Sequence, residues 1–125
     1  MTFLIVDDSP TMRRILVNSL QRIGYTEFVQ AAGGKEALEL FDESITFVIT
    51  DSNMPQMSGH EFTRALRVHP HGQNVPVIMV TTRSVREDTS AALDAGANDC
   101  IIKPFTPQML KEKIDAALRA STPVA

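Results

Sequence analysis

The sequence has no tryptophan, a single tyrosine and a single cysteine, and its longest apolar stretches are only Phe3 to Val6 and Val75 to Val80. Neither approaches the roughly 20 residues that cross a bilayer, so no membrane insertion is expected. Cys100 cannot form an internal disulfide, which suits a reducing compartment, and it reads as a small buried side chain. An excess of basic charge is lacking too. Twelve basic and 15 acidic residues leave a net charge of −3, which supplies no general attraction to nucleic acid. The only adjacent basic pair, Arg13 and Arg14, falls within a helical pattern, and DNA binding by this chain is not expected. No basic lead-in precedes the first apolar run, which meets Asp7 and Asp8 at once. A secretory signal is therefore not expected, and the chain should reside in the cytoplasm.

What is present is the composition of a globular domain: 125 residues, 43% hydrophobic and 22% charged. This excludes intrinsic disorder and fits one folded domain over residues 1–120 with a flexible tail over 121–125. Phe3 to Val6 is continuously apolar, as in a strand covered on both faces. Ser9 and Pro10 then suit the N-cap and first position of a helix. That helix carries Met12, Ile15, Leu16, Leu20 and Ile23 on one face and stops before Gly24. Phe28 to Ala31 is a weaker strand, followed by a short helix bearing Leu38, Leu40 and Phe41. Phe47 to Ile49 is a third strand, ending at Asp51. A third helix bears Phe62, Ala65 and Leu66 and is closed by the His69-Pro70 step. Val77 to Val80 is a fourth strand. Ser84 to Glu87 has capping-box spacing for a fourth helix ending at Gly96. Cys100 to Ile102 is a fifth strand, and Thr106 and Pro107 open a last helix whose Leu110, Ile114, Ala117 and Leu118 face inward. Strands alternating with helices in this way predict right-handed crossovers and a doubly wound α/β fold: one parallel sheet with five strands and five helices.

In such sheets ligands bind beyond the carboxyl ends of the strands. The residues found there are Asp7 and Asp8 after strand one, Asp51 after strand three, Thr81 and Thr82 after strand four, and Lys103 after strand five. With the strand order 2-1-3-4-5, three carboxylates converge at one rim. Crowded carboxylates either take up protons or hold a cation. With oxygen ligands alone and few of them, Mg²⁺ is favoured, since it accepts one or two carboxylates plus a phosphate oxygen. Lys103 and Thr81 would then face a transferring phosphoryl group, and an aspartate could attack as nucleophile. Taken singly, each residue is ambiguous. Acidic residues after strands also cap helices and form turns, a lone lysine is usually solvated, and His69-Pro70-His71 reads as a solvated loop. Met54 and Met57 read as gap fillers.

Asp7-Asp8, Asp51 with Met54-Pro55 and Gly59, Val80-Thr81 and Lys103-Pro104-Phe105 together resemble the receiver domain of bacterial two-component response regulators. The length and the stretch Ser9 to Ile15 look most like single-domain chemotaxis regulators of the CheY type. Residue spacing does not choose Asp51 over its neighbours; the resemblance does, and it implies that Asp51 is the phosphoacceptor. It further implies that Asp8, Asp51 and the Asn53 backbone carbonyl hold Mg²⁺ (or Mn²⁺), with Asp7 helping through bound water. Lys103 would contact the phosphoryl group, Thr81 would be the switch hydroxyl, and the Lys103–Pro104 peptide would be cis. A histidine kinase would donate, and a phosphatase or a downstream protein such as a flagellar motor switch would respond. The helix four, strand five and helix five face would carry output, and the chain would catalyse no reaction beyond its own phosphorylation and dephosphorylation. Cys100 stands where the family commonly has an aromatic on strand five, and Thr82 where it often has alanine. Arg83 would lie at the site's edge and influence hydrolysis of the acyl phosphate.

Other readings are a receiver cut from a larger regulator or hybrid kinase, and a receiver-like adaptor that is never phosphorylated. A phosphohydrolase of the haloacid dehalogenase type lacks its Asp-x-Asp pattern after strand one. An FMN carrier would meet two acids where its phosphate should bind.

Overall fold

The computed structural model describes residues 1–82 and 85–121. Five strands, β1 (Thr2–Val6), β2 (Glu27–Ala31), β3 (Phe47–Asp51), β4 (Val77–Thr81) and β5 (Asp99–Ile102), alternate with α1 (Pro10–Ile23), α2 (Gly34–Leu40), α3 (Gly59–Arg67), α4 (Val85–Ala95) and α5 (Pro107–Ser121). All pairings are parallel, in the expected order β2-β1-β3-β4-β5. The Ser84 cap and Arg83 lie outside the described residues, as do 122–125 of the expected tail; α5 itself runs to Ser121. No helix among the described residues is long and apolar enough to cross a membrane.

Two cores form because successive strand residues point to opposite faces. Phe3, Ile5, Phe47, Ile49, Ile78, Val80 and Ile101 meet Leu16 and Leu20 of α1 and Leu110 and Ile114 of α5. Leu4, Val6, Val48, Val77, Met79 and Cys100 meet Ala37, Phe62, Leu66 and Ala92 from α2, α3 and α4. Both faces are thereby covered, which is why β1, β3 and β4 read as unbroken apolar runs. Edge strand β2 is only partly buried, matching its weaker pattern.

The helix ends follow local chemistry. The Ser9 hydroxyl accepts from Met12 N at 3.2 Å, and Gly24 closes α1 at φ 117°. Ser58 and Glu61 form a reciprocal capping box on α3, and the Thr106 hydroxyl accepts from Met109 N at 3.1 Å. Gly96, at φ 108°, closes α4.

Two apolar residues that the sequence places on helices lie outside the core. Ile15 is 46% exposed, because it sits at the rim of the α1 stripe, where it lines a shallow cavity of about 380 Å³ with Met12, Thr82, Lys103, Pro104 and Phe105. Leu40 is 42% exposed, and Phe41, though buried, lies just past the end of α2 as its C-cap. Met54 is buried and Met57 packs against the same core, as gap fillers do. His69 sets its ring edge-on to Phe41 at 5.0 Å and accepts from His71 N at 3.1 Å, so that loop is occupied with itself.

Candidate functional site

The parallel sheet delivers the ends of β1, β3, β4 and β5 to one rim, and with them nearly every polar residue singled out in the sequence. Asp7 and Asp8 follow β1 directly. Asp51 is the last residue of β3, Thr81 the last of β4, and Lys103 follows β5. One carboxylate oxygen from each of Asp7, Asp8 and Asp51 lies within 4.8 Å of the other two. Among the described residues this is the one group of such residues close enough to share a metal ion.

The three carboxylates are not equivalent. Asp7 is 1% exposed and Asp51 7%, whereas Asp8 is exposed. Asp7 Oδ1 accepts from Ser9 N at 2.9 Å, while its Oδ2 is buried without a hydrogen-bond partner. Burial first, and the neighbouring negative charge of Asp51 among the smaller causes, push the Asp7 carboxyl above its ordinary value of 3.8, against the Ser9 hydrogen bond and the Lys103 charge. Lys103 Nζ donates to Asp51 Oδ1 at 3.2 Å and stands 3.8 Å from Asp7 Oδ2. The lysine thus reaches into the acidic rim instead of lying in solvent.

Backbone contacts hold the rim still. Ser52 N donates to Val80 O, and Gly59 N to Ser52 O, each at 3.0 Å. A Cβ on residue 59 would collide with the carbonyl oxygen of Asp51, so only glycine lets α3 start this close to it. Lys103 N donates to Thr81 O at 2.7 Å, tying the ends of β4 and β5. Thr81 is buried at 1% exposure, while Thr82 is exposed. The Lys103–Pro104 peptide is cis. Asn53 lies exposed in the loop that leaves β3. Cys100 is buried on the face of β5 toward α4, where the resemblance led one to look for an aromatic.

A buried carboxylate oxygen without a hydrogen bond, beside two further carboxylates, suits a hard divalent cation, which oxygen donors bind. The donor set therefore fits Mg²⁺. It does not fit a soft metal, because neither sulfur nor imidazole belongs to the cluster.

Sequence reading missed Arg13, which it treated as half of a basic pair. Its Nη1 donates to Asp7 O at 2.6 Å and its Nε to Gln30 Oε1 at 3.2 Å. The available signal was its place in the second turn of the helix that leaves the acidic pair.

The profile described as "Response regulator receiver domain" matches residues 3–115. A chemotaxis protein CheY homolog of Campylobacter jejuni is 45% identical over 120 residues, covering 94% of this chain and 92% of that protein. The chemotaxis protein CheY of Pseudomonas aeruginosa is 43% identical over 116 residues, covering 92% and 94%. Among solved structures, the chemotaxis response regulator CheY4 of Vibrio cholerae superposes with a TM-score of 0.83 at 34% identity, covering 93% of this chain and 97% of that one. A receiver domain from Clostridium thermocellum gives 0.83 at 30% identity, covering 95% and 94%.

Proposed function

Because the chain belongs to the response regulator receiver domain family, we propose that Asp51 accepts a phosphoryl group from a histidine kinase and that the resulting charge switches the domain's affinity for a target protein. The observation that carries this reading is the contact of the Lys103 ammonium with Asp51 at 3.2 Å, inside a cluster of three carboxylates. Asp51 stands at the end of the central strand β3, and the two other carboxylates lie in the loop that follows neighbouring β1.

Asp8, Asp51 and the Asn53 carbonyl would hold Mg²⁺, and Asp7 would support the site from behind them. When bound, the ion offsets the charge of the carboxylates and of the phosphoryl oxygens. A carboxylate oxygen of Asp51 forms the new P–O bond as the P–N bond to the kinase histidine breaks. The electron pair leaves with the imidazole, which takes a proton from solvent. Lys103 faces the negative charge on the transferring group, and the Thr81 hydroxyl donates to one of its oxygens once the group is in place. The phosphoryl group carries about −2, roughly one charge more than the carboxylate it replaces, and this change biases a two-state equilibrium toward the output form. The names of the relatives make chemotaxis the favoured setting, with a motor-switch protein as the target and a phosphatase to reset the domain.

The test is incubation with acetyl phosphate and Mg²⁺, followed by intact-mass measurement. Wild-type protein should gain one phosphoryl group, and Asp51→Asn none. Modification that persists in Asp51→Asn would overturn the assignment.

A further inference from the structure

We infer that Arg13 is a positioning residue for the metal site: it fixes the peptide between Asp7 and Asp8 and so aims the Asp8 carboxylate. This role rests on the magnesium reading given above. Each of the two buried carboxylates has its own tether, Asp7 through Ser9 N and Asp51 through Lys103 Nζ. Asp8 has none, since among the described residues no hydrogen bond or ion pair holds its exposed side chain. The point from which that carboxylate reaches, and the rotamers open to it, are therefore set by its backbone, and the backbone group that precedes it is the carbonyl of Asp7.

That carbonyl accepts the Arg13 Nη1–H at 2.6 Å. A charge-assisted hydrogen bond of this length is about twice as strong as a neutral one. The guanidinium is held at a second point, where Nε donates to Gln30 Oε1 on β2 at 3.2 Å. Asp7 N in turn donates to Ala31 O at 3.1 Å. The polar groups on either side of the Asp7 α-carbon are thus anchored, one to the β2 backbone and one to a side chain braced on β2. The peptide plane that carries Asp8 N has little freedom left.

The choice of acceptor also matters. Arg13 makes no ion pair with any of the three carboxylates; both ion pairs to Asp7 and Asp51 come from Lys103. A guanidinium forked onto a carboxylate would occupy the oxygens a metal needs. Bonded to a carbonyl, it brings positive charge to the acidic corner and leaves every ligand oxygen available. Groups that orient metal ligands in this indirect way typically change affinity by tenfold or more when removed.

The test is Mg²⁺ titration calorimetry on the metal-free chain, comparing wild type with Arg13→Ala, Arg13→Lys and Arg67→Ala at a temperature where all remain folded. Arg67 lies at the opposite end of the sheet and serves as the control for destabilisation alone. Arg13→Ala should bind about tenfold more weakly, Arg13→Lys should recover less than half of that loss on a logarithmic scale, and Arg67→Ala should bind as wild type does. The Asp8 amide resonance of the metal-free protein should broaden in Arg13→Ala and stay sharp in Arg67→Ala. Wild-type affinity in Arg13→Ala, full rescue by lysine, or equal weakening in Arg67→Ala would overturn the inference while leaving the magnesium site intact. Failure of wild-type protein to take up Mg²⁺ would overturn both.

Discussion

At the amino end of the sheet Arg67 directs five N–H groups at five oxygen contacts, whereas at the carboxyl end two of three clustered carboxylates share a single ammonium and the third has none. The Arg67 contacts go to Gly96 O at 2.9 and 2.8 Å, Gly72 O at 2.9 Å, Val75 O at 2.6 Å and Asn98 Oδ1 at 3.3 Å. They join the end of α3 to the segments that enter β4 and β5. Burial pushes the guanidinium below its ordinary value, yet no donor lacks an acceptor. The acidic end keeps a buried Asp7 oxygen that no hydrogen bond satisfies, with only the Lys103 ammonium at 3.8 Å near it. One end is satisfied and holds the fold; the other is left wanting a ligand. A domain whose polar groups were all answered from within would have nothing to offer a cation or a phosphoryl group.

Arg67→Ala should break this contrast most severely, since the carbonyls of Gly72, Val75 and Gly96 lose a shared donor. A loss of about 3 kcal/mol in urea unfolding is expected, with Mg²⁺ affinity unchanged. Lys103→Met removes the one cation the carboxylates share and should cost about 2 kcal/mol in metal-free protein, a loss that added Mg²⁺ reverses. Asp7→Asn works in the other direction. It removes a desolvated charge, so metal-free protein should gain about 1 kcal/mol while its Mg²⁺ affinity falls.

The smallest effect is the pH dependence of that last gain. The Asp7 carboxyl lies above 3.8 in the folded chain, so the unfolded chain gives up this proton first as pH rises. Its contribution to stability is fully present below 3.8 and is lost as pH climbs through the folded value. The advantage of Asp7→Asn over wild type should therefore open across that window and stay level above it. Unfolding curves collected from about pH 4 to 7 check the sign. A gap that closes as pH rises would show that burial does not dominate this carboxyl.

The satisfied and unsatisfied ends were not equally legible. Strands β1, β3 and β4 announced themselves because helices cover both their faces, and α1 was bounded correctly by Ser9, Pro10 and Gly24. The acidic rim was legible as a set because topology alone collects strand ends. Nothing in the residue order distinguished Asp51 from Asp7 or Asp8, and Lys103 by itself looked like surface. Arg67 and Arg13 were invisible because their roles depend on reach. Arg67 bonds a carbonyl 29 residues away, and Arg13 bonds the loop after β1 while bracing on β2. Ile15 failed for a related reason: helical period marks a stripe and does not say how far the neighbouring helix extends over its edge.

Only the folded chain brings the carboxylates of Asp7, Asp8 and Asp51 together, for in an unfolded coil Asp51 would wander far from the other two. Any ion that needs all three is thus a thermodynamic chaperone. Once free Mg²⁺ exceeds its dissociation constant, every further tenfold rise should add about 1.4 kcal/mol to the resistance against unfolding, so the heat tolerance of this small domain becomes a gauge of the ionic medium around it.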